Sequence, residues 1–219
     1  MKKYEILYRD EDLCVIHKRA GLAVQSARAS VPDLMSMLRN DLLEEGMKNP
    51  YLGLVNRLDQ PVEGILLVAF NEKAAADLSR QVADHIHMEK WYQALVCGKP
   101  SAKSGTLVDY LLKDARNNLS KVVPEGTRGS KRSELTYEVL ESWEDQTLLK
   151  IRLLTGRHHQ IRVQLANAGI PIVGDAKYNF KETMTRSGNG LLLCSYKIGF
   201  KHPKTHKKME FEIRNPFLI

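Results

Sequence analysis

The sequence predicts an α+β fold: a mixed, largely antiparallel sheet with flanking helices and loops. Two observations carry that expectation. Strand-like segments outnumber helical ones by nine to three. The two kinds are also not regularly interleaved, as a doubly wound parallel sheet would require. No internal repeat is visible. At 219 residues, 43% of them hydrophobic, the chain has enough apolar material for a core and is read as one domain over 1–219.

Taken in order, strands are expected at Tyr4–Tyr8 and Leu13–His17, followed by a helix over Asp33–Glu45. Leu52–Leu58 and Ile65–Phe70 are rich in Val, Leu and Ile and read as buried strands. A second helix, Glu72–Asp84, has Asn71 as its N-cap and Ala75, Leu78 and Val82 on one apolar stripe. Strands follow at Trp91–Val96, Ser133–Trp143 and Thr147–Leu154. The third helix, Arg157–Ala168, has Thr155 as candidate cap, Ile161, Leu165 and Ala168 as buried stripe, and Gly169 as terminator. Leu191–Phe200 and Lys208–Arg214 complete the strands. Two segments read as loops. Lys113 to Arg132 carries Asn117-Asn118, Pro124, Gly126 and Gly129, and Asn179 to Asn189 is polar.

Composition narrows the function classes. There are 33 Lys and Arg against 26 acidic residues, a formal charge of +7. That surplus suits a polyanion, because neutralising phosphates releases counterions. It suits an ordinary basic protein equally well. The cysteines Cys14, Cys97 and Cys194 are far apart, and each lies in an apolar run, so buried reduced thiols are expected. Neither a disulfide scaffold nor a zinc ribbon has that spacing. The N-terminus leads into strand-like sequence rather than a signal peptide, and no apolar run approaches about 18 residues. A cytoplasmic location with no membrane partner is the resulting expectation. His85 and His87 are two apart and His158 and His159 adjacent, without the companions of a zinc or iron site, so no metal is expected.

The basic loop Lys113–Arg132 contains Lys113, Arg116, Lys121, Arg128, Lys131 and Arg132. It reads either as a solvated surface loop or as a basic finger that grips RNA. Its Gly126-Thr127-Arg128-Gly129-Ser130-Lys131 lacks the glycine spacing of a phosphate-binding P-loop.

The strongest chemical signal is Arg57-Leu58-Asp59, set between two apolar runs. Alternation along the strand puts Arg57 and Asp59 on one side and Leu58 on the other. Pro61 and Gly64 would then end the strand and turn the chain. A close positive charge keeps an aspartate ionised, which a nucleophile needs. An isolated Arg-x-Asp is also how a structural ion pair at a sheet edge reads.

Other segments widen the signal. Arg57-Leu58-Asp59 through Ala69 resembles the catalytic signature of the RluA-type RNA pseudouridine synthases. Ile6 to Leu22, with His17-Lys18-Arg19-Ala20-Gly21, is similar to that family's opening motif, and Lys90-Trp91-Tyr92-Gln93-Ala94 to its tyrosine-bearing strand. Thr155-Gly156-Arg157-His158-His159-Gln160-Ile161-Arg162, continuing through Gly174-Asp175-Ala176-Lys177-Tyr178, resembles its last signature. With Phe200 to Thr205 the resemblance covers almost the whole chain in the same order.

The resemblance implies the pseudouridine synthase catalytic fold with a central active-site cleft, and isomerisation of specific uridines in structured ribosomal or transfer RNA. Asp59 would be the nucleophile, attacking either the ribose anomeric carbon or the pyrimidine ring. The glycosidic bond breaks, the uracil rotates and it rejoins through carbon 5, and no cofactor is needed. Arg57 would fill the gap left by the extruded uridine. Tyr92 would stack on the flipped base and share in proton transfer. Arg162 would pair with Asp59, and Arg157 would contact phosphate. Gln160 and Lys18 join them as substrate-binding residues. A monomer is implied. Taken singly, Tyr92 would read as core and Arg162 as a surface charge.

Departures from the family pattern are confined to Asn56, where the family has His, and Val62-Glu63, where it has Thr-Ser. Glu63 adds an acid close to Asp59 in sequence. These changes suggest a divergent subgroup. The chain starts at the opening motif, so the extra N-terminal RNA-binding module of many relatives is expected to be missing, with target choice resting on the catalytic domain. Two other function classes stand beside the isomerase. One is an RNA chaperone of the same fold with little catalysis. The other is a hydrolase using Asp59 and Glu63 as a carboxylate pair.

Overall fold

A computed structural model describes residues 3–26, 30–84, 86–179 and 190–214. His85 and positions 180–189 of the expected second loop lie outside the described residues. The chain divides into two compact units, residues 1–89 with 195–214, and residues 90–194 with 215–219.

The first unit starts with β1 (Tyr4–Arg9) and β2 (Leu13–Lys18), an antiparallel pair. Every residue of β2 is buried, so the strand is sandwiched on both faces. Helix α1 (Leu34–Glu44) follows, its first turn capped by Asp33, whose carboxylate accepts from the Ser36 N–H at 2.8 Å. Then come β3 (Gly53–Leu54), β4 (Glu63–Ala69) and α2 (Glu72–Asp84). The expected Asn71 cap is present, with its Oδ1 accepting from the Ala74 N–H at 2.8 Å. Strands β10 (Leu193–Lys201) and β11 (Lys208–Glu212) return late in the chain. The order is β1-β2-β4-β10, with β11 beside β10 and β3 beside β4. Leu13, Val15, Ile65, Leu67, Leu78, Ile198 and Phe200 form its core, with Ala75 and Val82 of α2 packed against it.

Gly64 is fixed by packing. A Cβ there would lie 2.4 Å from the Ser195 carbonyl oxygen, and its φ is +144°.

The second unit contains β5 (Glu89–Cys97), β6 (Ser104–Asp114), β7 (Leu119–Val123), β8 (Lys131–Ser142), β9 (Gln146–Leu153) and α3 (Gln160–Asn167). Its strands run β5-β9-β8-β6-β7, and each of these pairs is antiparallel. α3 packs on β6 and β7. Strand β5 alternates between half-buried and buried residues, so Lys90, Tyr92, Ala94 and Val96 share the buried face.

Four expectations need correction. The strand over Leu52–Leu58 is only Gly53–Leu54, because the Asn56 side chain takes the Leu67 N–H at 2.8 Å in place of a ladder bond. The Lys113–Arg132 loop is instead partly strand: it holds the end of the unforeseen β6 (Lys113 and Asp114), all of β7, which pairs back on β6 as a hairpin, and the start of β8. β6 and β7 carry polar residues outward and lack a long apolar run, so they are weak strand signals in isolation. α3 begins at Gln160, not Arg157, and its N-cap position is His159, in the left-handed region (φ 55°) and without a side-chain capping bond, rather than Thr155. Ile161 and Leu165 are buried on it as expected, but Ala168 is exposed. Of the cysteines, Cys14 and Cys194 are buried, whereas Cys97 is half-buried.

Candidate active site

In the first unit, Asp59 heads a turn. Val62 N–H donates to the Asp59 carbonyl at 3.0 Å, and β4 begins one residue later. Asp favours that first turn position. Without a strand, the expected alternation still holds locally: Arg57 is exposed, Leu58 buried and Asp59 half-buried. Leu58 anchors the segment and leaves its neighbours near solvent.

The turn is clamped to the loop after β2. Gly21 N–H and the Lys18 ammonium both donate to the Gln60 carbonyl, at 2.9 and 3.2 Å, and Gln60 Nε2 donates to the Gly21 carbonyl at 3.1 Å. Lys18 is fully buried, and its ammonium also donates to the carbonyls of Leu22 (2.9 Å) and Arg19 (3.2 Å). Burial pulls its pKa down to about 8, against the opposing pull of the Glu63 and Asp59 charges. Lys18 is sealed in, and it ties the Asp59 turn to β2.

Glu63 is held by the end of that strand and the residues that follow it. His17 Nε2 lies 2.9 Å and Arg19 Nη1 3.0 Å from its Oε1, and Ala20 N–H donates to Oε2 at 3.4 Å. Burial, then the Arg19 charge, lowers the His17 pKa against the pull of Glu63.

In the second unit, Tyr92 is 5% exposed on the inner face of β5, opposite Ile151 of β9. Trp91 faces the other way, with Lys150 Nζ 4.9 Å and Arg152 Cζ 5.5 Å from its ring centre. The Thr155–Arg157 loop is organised by Gln160. Its Oε1 accepts from Thr155 Oγ1 (2.8 Å) and Arg157 N–H (2.9 Å), and its Nε2 donates to the Glu134 carbonyl (3.1 Å). Gln160 is 3% exposed and builds the scaffold of this loop. Arg157 is half-buried, with Nε donating to the Arg132 carbonyl at 3.1 Å.

Arg162 is 4% exposed, not a surface charge. It projects from α3 into a bidentate pair with Asp175: Nε to Oδ2 at 2.8 Å and Nη2 to Oδ1 at 2.7 Å. Its guanidinium also lies 5.3 Å from the Tyr178 ring centre. Tyr178 in turn bonds His159 Nδ1 at 2.8 Å and accepts from Ser120 N–H at 2.7 Å. His158 stacks on His159 at 3.8 Å and bonds Ser120 Oγ at 2.9 Å. The strained His159 is thus held by α3, β7 and the segment around Tyr178 together. Asp175 and Tyr178 stood in the last quoted signature but received no role. An acid 13 residues beyond its arginine gives no local spacing signal.

Among the described residues, one cluster has a metal-like arrangement: Asp10, Asp12 and His202. His202 Nδ1 accepts from Lys204 N–H and Thr205 N–H, so Nε2 carries the ring proton and donates to Asp10 at 2.8 Å. That nitrogen has no lone pair to offer an ion. Tyr8 and the N–H groups of Asp12 and Leu13 take up the rest of Asp10. The cluster is a structural tie between β1 and the end of β10.

Comparisons with known proteins fall on one family. A model described as RNA pseudouridylate synthase matches residues 12–167. An uncharacterized RNA pseudouridine synthase of Bacillus subtilis (strain 168) is 34% identical over 220 residues, covering 97% of this chain and 69% of the relative. A ribosomal large subunit pseudouridine synthase C of Pasteurella multocida (strain Pm70) is 36% identical over 208 residues, covering 92% and 61%. In fold, the chain matches human RNA pseudouridylate synthase domain containing 1 with a TM-score of 0.79 at 24% identity, covering 98% of this chain and 84% of that one. No helix among the described residues is long and apolar enough to cross a membrane.

Proposed function

The chain belongs to the RNA pseudouridylate synthase family, a family of isomerases, and from that premise we propose that it converts specific uridines of structured RNA to pseudouridine with Asp59 as nucleophile. The observation that carries the reading is the Asp59 turn: a half-buried carboxylate at the head of a turn clamped through Gln60 to Gly21 and Lys18. Rigid support of a partly exposed carboxylate is what a nucleophile needs, since a loosely held one loses orientation at each attack. Ribosomal RNA is the favoured target class, because the similar Pasteurella protein is named for the large ribosomal subunit; transfer RNA is the second.

In this reading Tyr92 stacks on the extruded base, Arg57 enters the gap it leaves, Arg162 steadies Asp59, and Arg157 contacts phosphate. Both compact units serve one catalytic domain. The exposed cations Lys113, Arg116, Lys121, Arg128, Lys131 and Arg132, on the β6–β7 hairpin and the segment that follows it, grip the RNA backbone. The hydrolase alternative loses support, because His17 and Arg19 hold the Glu63 carboxylate it would need as partner.

The test uses in-vitro-transcribed large-subunit ribosomal RNA carrying tritium at uridine carbon 5, which is released as the new carbon–carbon bond forms. The wild type is expected to release tritium and Asp59→Asn to release none while still folding. Equal release by both proteins, or none by either, would remove the isomerase assignment in favour of an RNA chaperone.

A further inference from the structure

Lys90 is used by nothing described so far. It is 6% exposed, on the buried face of β5 two residues before Tyr92. Among the described residues its ammonium has no hydrogen bond or ion pair, and burial alone acts on its pKa, downward. Gln164 Oε1 is the one sealed side-chain polar atom without a partner among the described residues. The Lys90 nitrogen, equally without one, therefore keeps an opening to solvent.

A largely buried ammonium with no acceptor from its own chain is a costly arrangement, which an anion arriving from solvent would relieve. The surroundings fit such a visitor. Gly156 lies against the ammonium, and a Cβ there would sit 3.5 Å from Nζ. A longer side chain at 156 would cover the cation, whereas glycine leaves its approach clear. The neighbouring residue is Arg157, so two cations flank the same short loop. Along β5, residues two apart on one face are separated by about 6.5–7 Å. That is a span of the order of one nucleotide between base and phosphate.

We propose that Lys90 is the contact for one backbone phosphate of the bound RNA, next to the nucleotide whose base meets Tyr92. This rests on the RNA reading given under Proposed function. The phosphate diester brings a full negative charge and free acceptor oxygens, which completes the ammonium's hydrogen bonding.

The test compares wild type, Lys90→Met and Lys90→Arg on the tritiated large-subunit transcript, with kcat/KM measured across a salt series. Lys90→Met is expected to lower kcat/KM about tenfold, the loss of one charge-assisted contact. It should also make the slope of log kcat/KM against log salt shallower by about 0.7–0.9, the signature of one lost phosphate contact. Lys90→Arg should restore the slope. A purely structural lysine would change the thermal midpoint and leave the slope alone, which would overturn the proposal, as would a fall in kcat with the slope intact. Filter retention of the same transcript reads the slope independently of turnover. If the wild type releases no tritium, the isomerase reading fails while the retention slope still decides the role of Lys90.

Discussion

Lys18 and Lys90 are both lysines buried at the end of a strand, one at the end of β2 and the other at the start of β5. Burial lowers the pKa of each. They differ in what meets the ammonium. Lys18 has three backbone carbonyls, from Arg19, Leu22 and Gln60. Lys90 has none among the described residues. The difference separates two uses of a buried cation. A cation whose hydrogen bonds are completed by its own chain is an internal strut. One left incomplete retains its binding capacity for a partner.

Arg162 sets the strong end of this scale, since its charge is met by a full carboxylate. Asp175→Ala strips the buried guanidinium of its bidentate partner, and removing one member of a buried pair costs about 3–5 kcal/mol. Chemical unfolding should show that loss, together with a fall in turnover if Arg162 steadies Asp59. A cost under about 1 kcal/mol would mean that burial here is shallower than the 5% and 0% side-chain exposures indicate.

Lys18→Met tests the strut. It leaves buried carbonyls without their donor, at an expected cost on the order of 2 kcal/mol. The pH dependence gives an independent check. With a folded pKa near 8 against an ordinary value of 10.5, the unfolded state holds the lysine proton more tightly. Between about pH 8 and 10.5 the unfolded chain therefore binds more protons, and raising the pH favours the folded state. Tyr4 and Cys14, both pushed upward by burial, act in the opposite sense at alkaline pH. The quantity to follow is thus the stability of wild type minus that of Lys18→Met. It should rise across this window, and a flat difference would show Lys18 to be ordinary in its titration.

The same contrast explains what was legible in the sequence. Apolar patterning located β2, β4 and β10 because they are buried nearly throughout, and β5, β9 and α2 because one face of each is buried, and Asn71 caps α2 as its position suggests. The hairpin β6–β7 was hidden because its strands bury few residues and its turn residues spread a loop signal over both sides. Near Asp59 the pattern was apolar enough to suggest a strand, but the tertiary bond from Asn56 replaced the ladder, which composition does not reveal. At the candidate site, the family resemblance points to Asp59, Tyr92 and Arg162, while residue types alone read Tyr92 as core and Arg162 as a surface charge. Whether a polar residue ends up solvated, completed or bare depends on carbonyls brought from elsewhere. The sequence therefore does not separate Lys18 and Gln160, whose polar groups are met by the chain itself, from Lys90, adjacent to Trp91 in a strand.

The smallest effect is the most discriminating. Lys90→Met, examined for stability alone, removes a buried charge that has no internal partner to lose. The expected change in unfolding free energy is within about 0.5 kcal/mol of zero or in the stabilising direction, since replacing an uncompensated charge by an apolar chain of similar volume removes a desolvation cost. Urea unfolding of the two variants in parallel makes the comparison direct. If Lys90→Met loses as much as Lys18→Met, the two lysines are struts of one kind, and the distinction between completed and bare cations fails in this protein. If Lys90→Met keeps its stability and loses RNA affinity, an unpaired buried lysine marks where the substrate's charge is received, and the same criterion can be applied to other chains of this family.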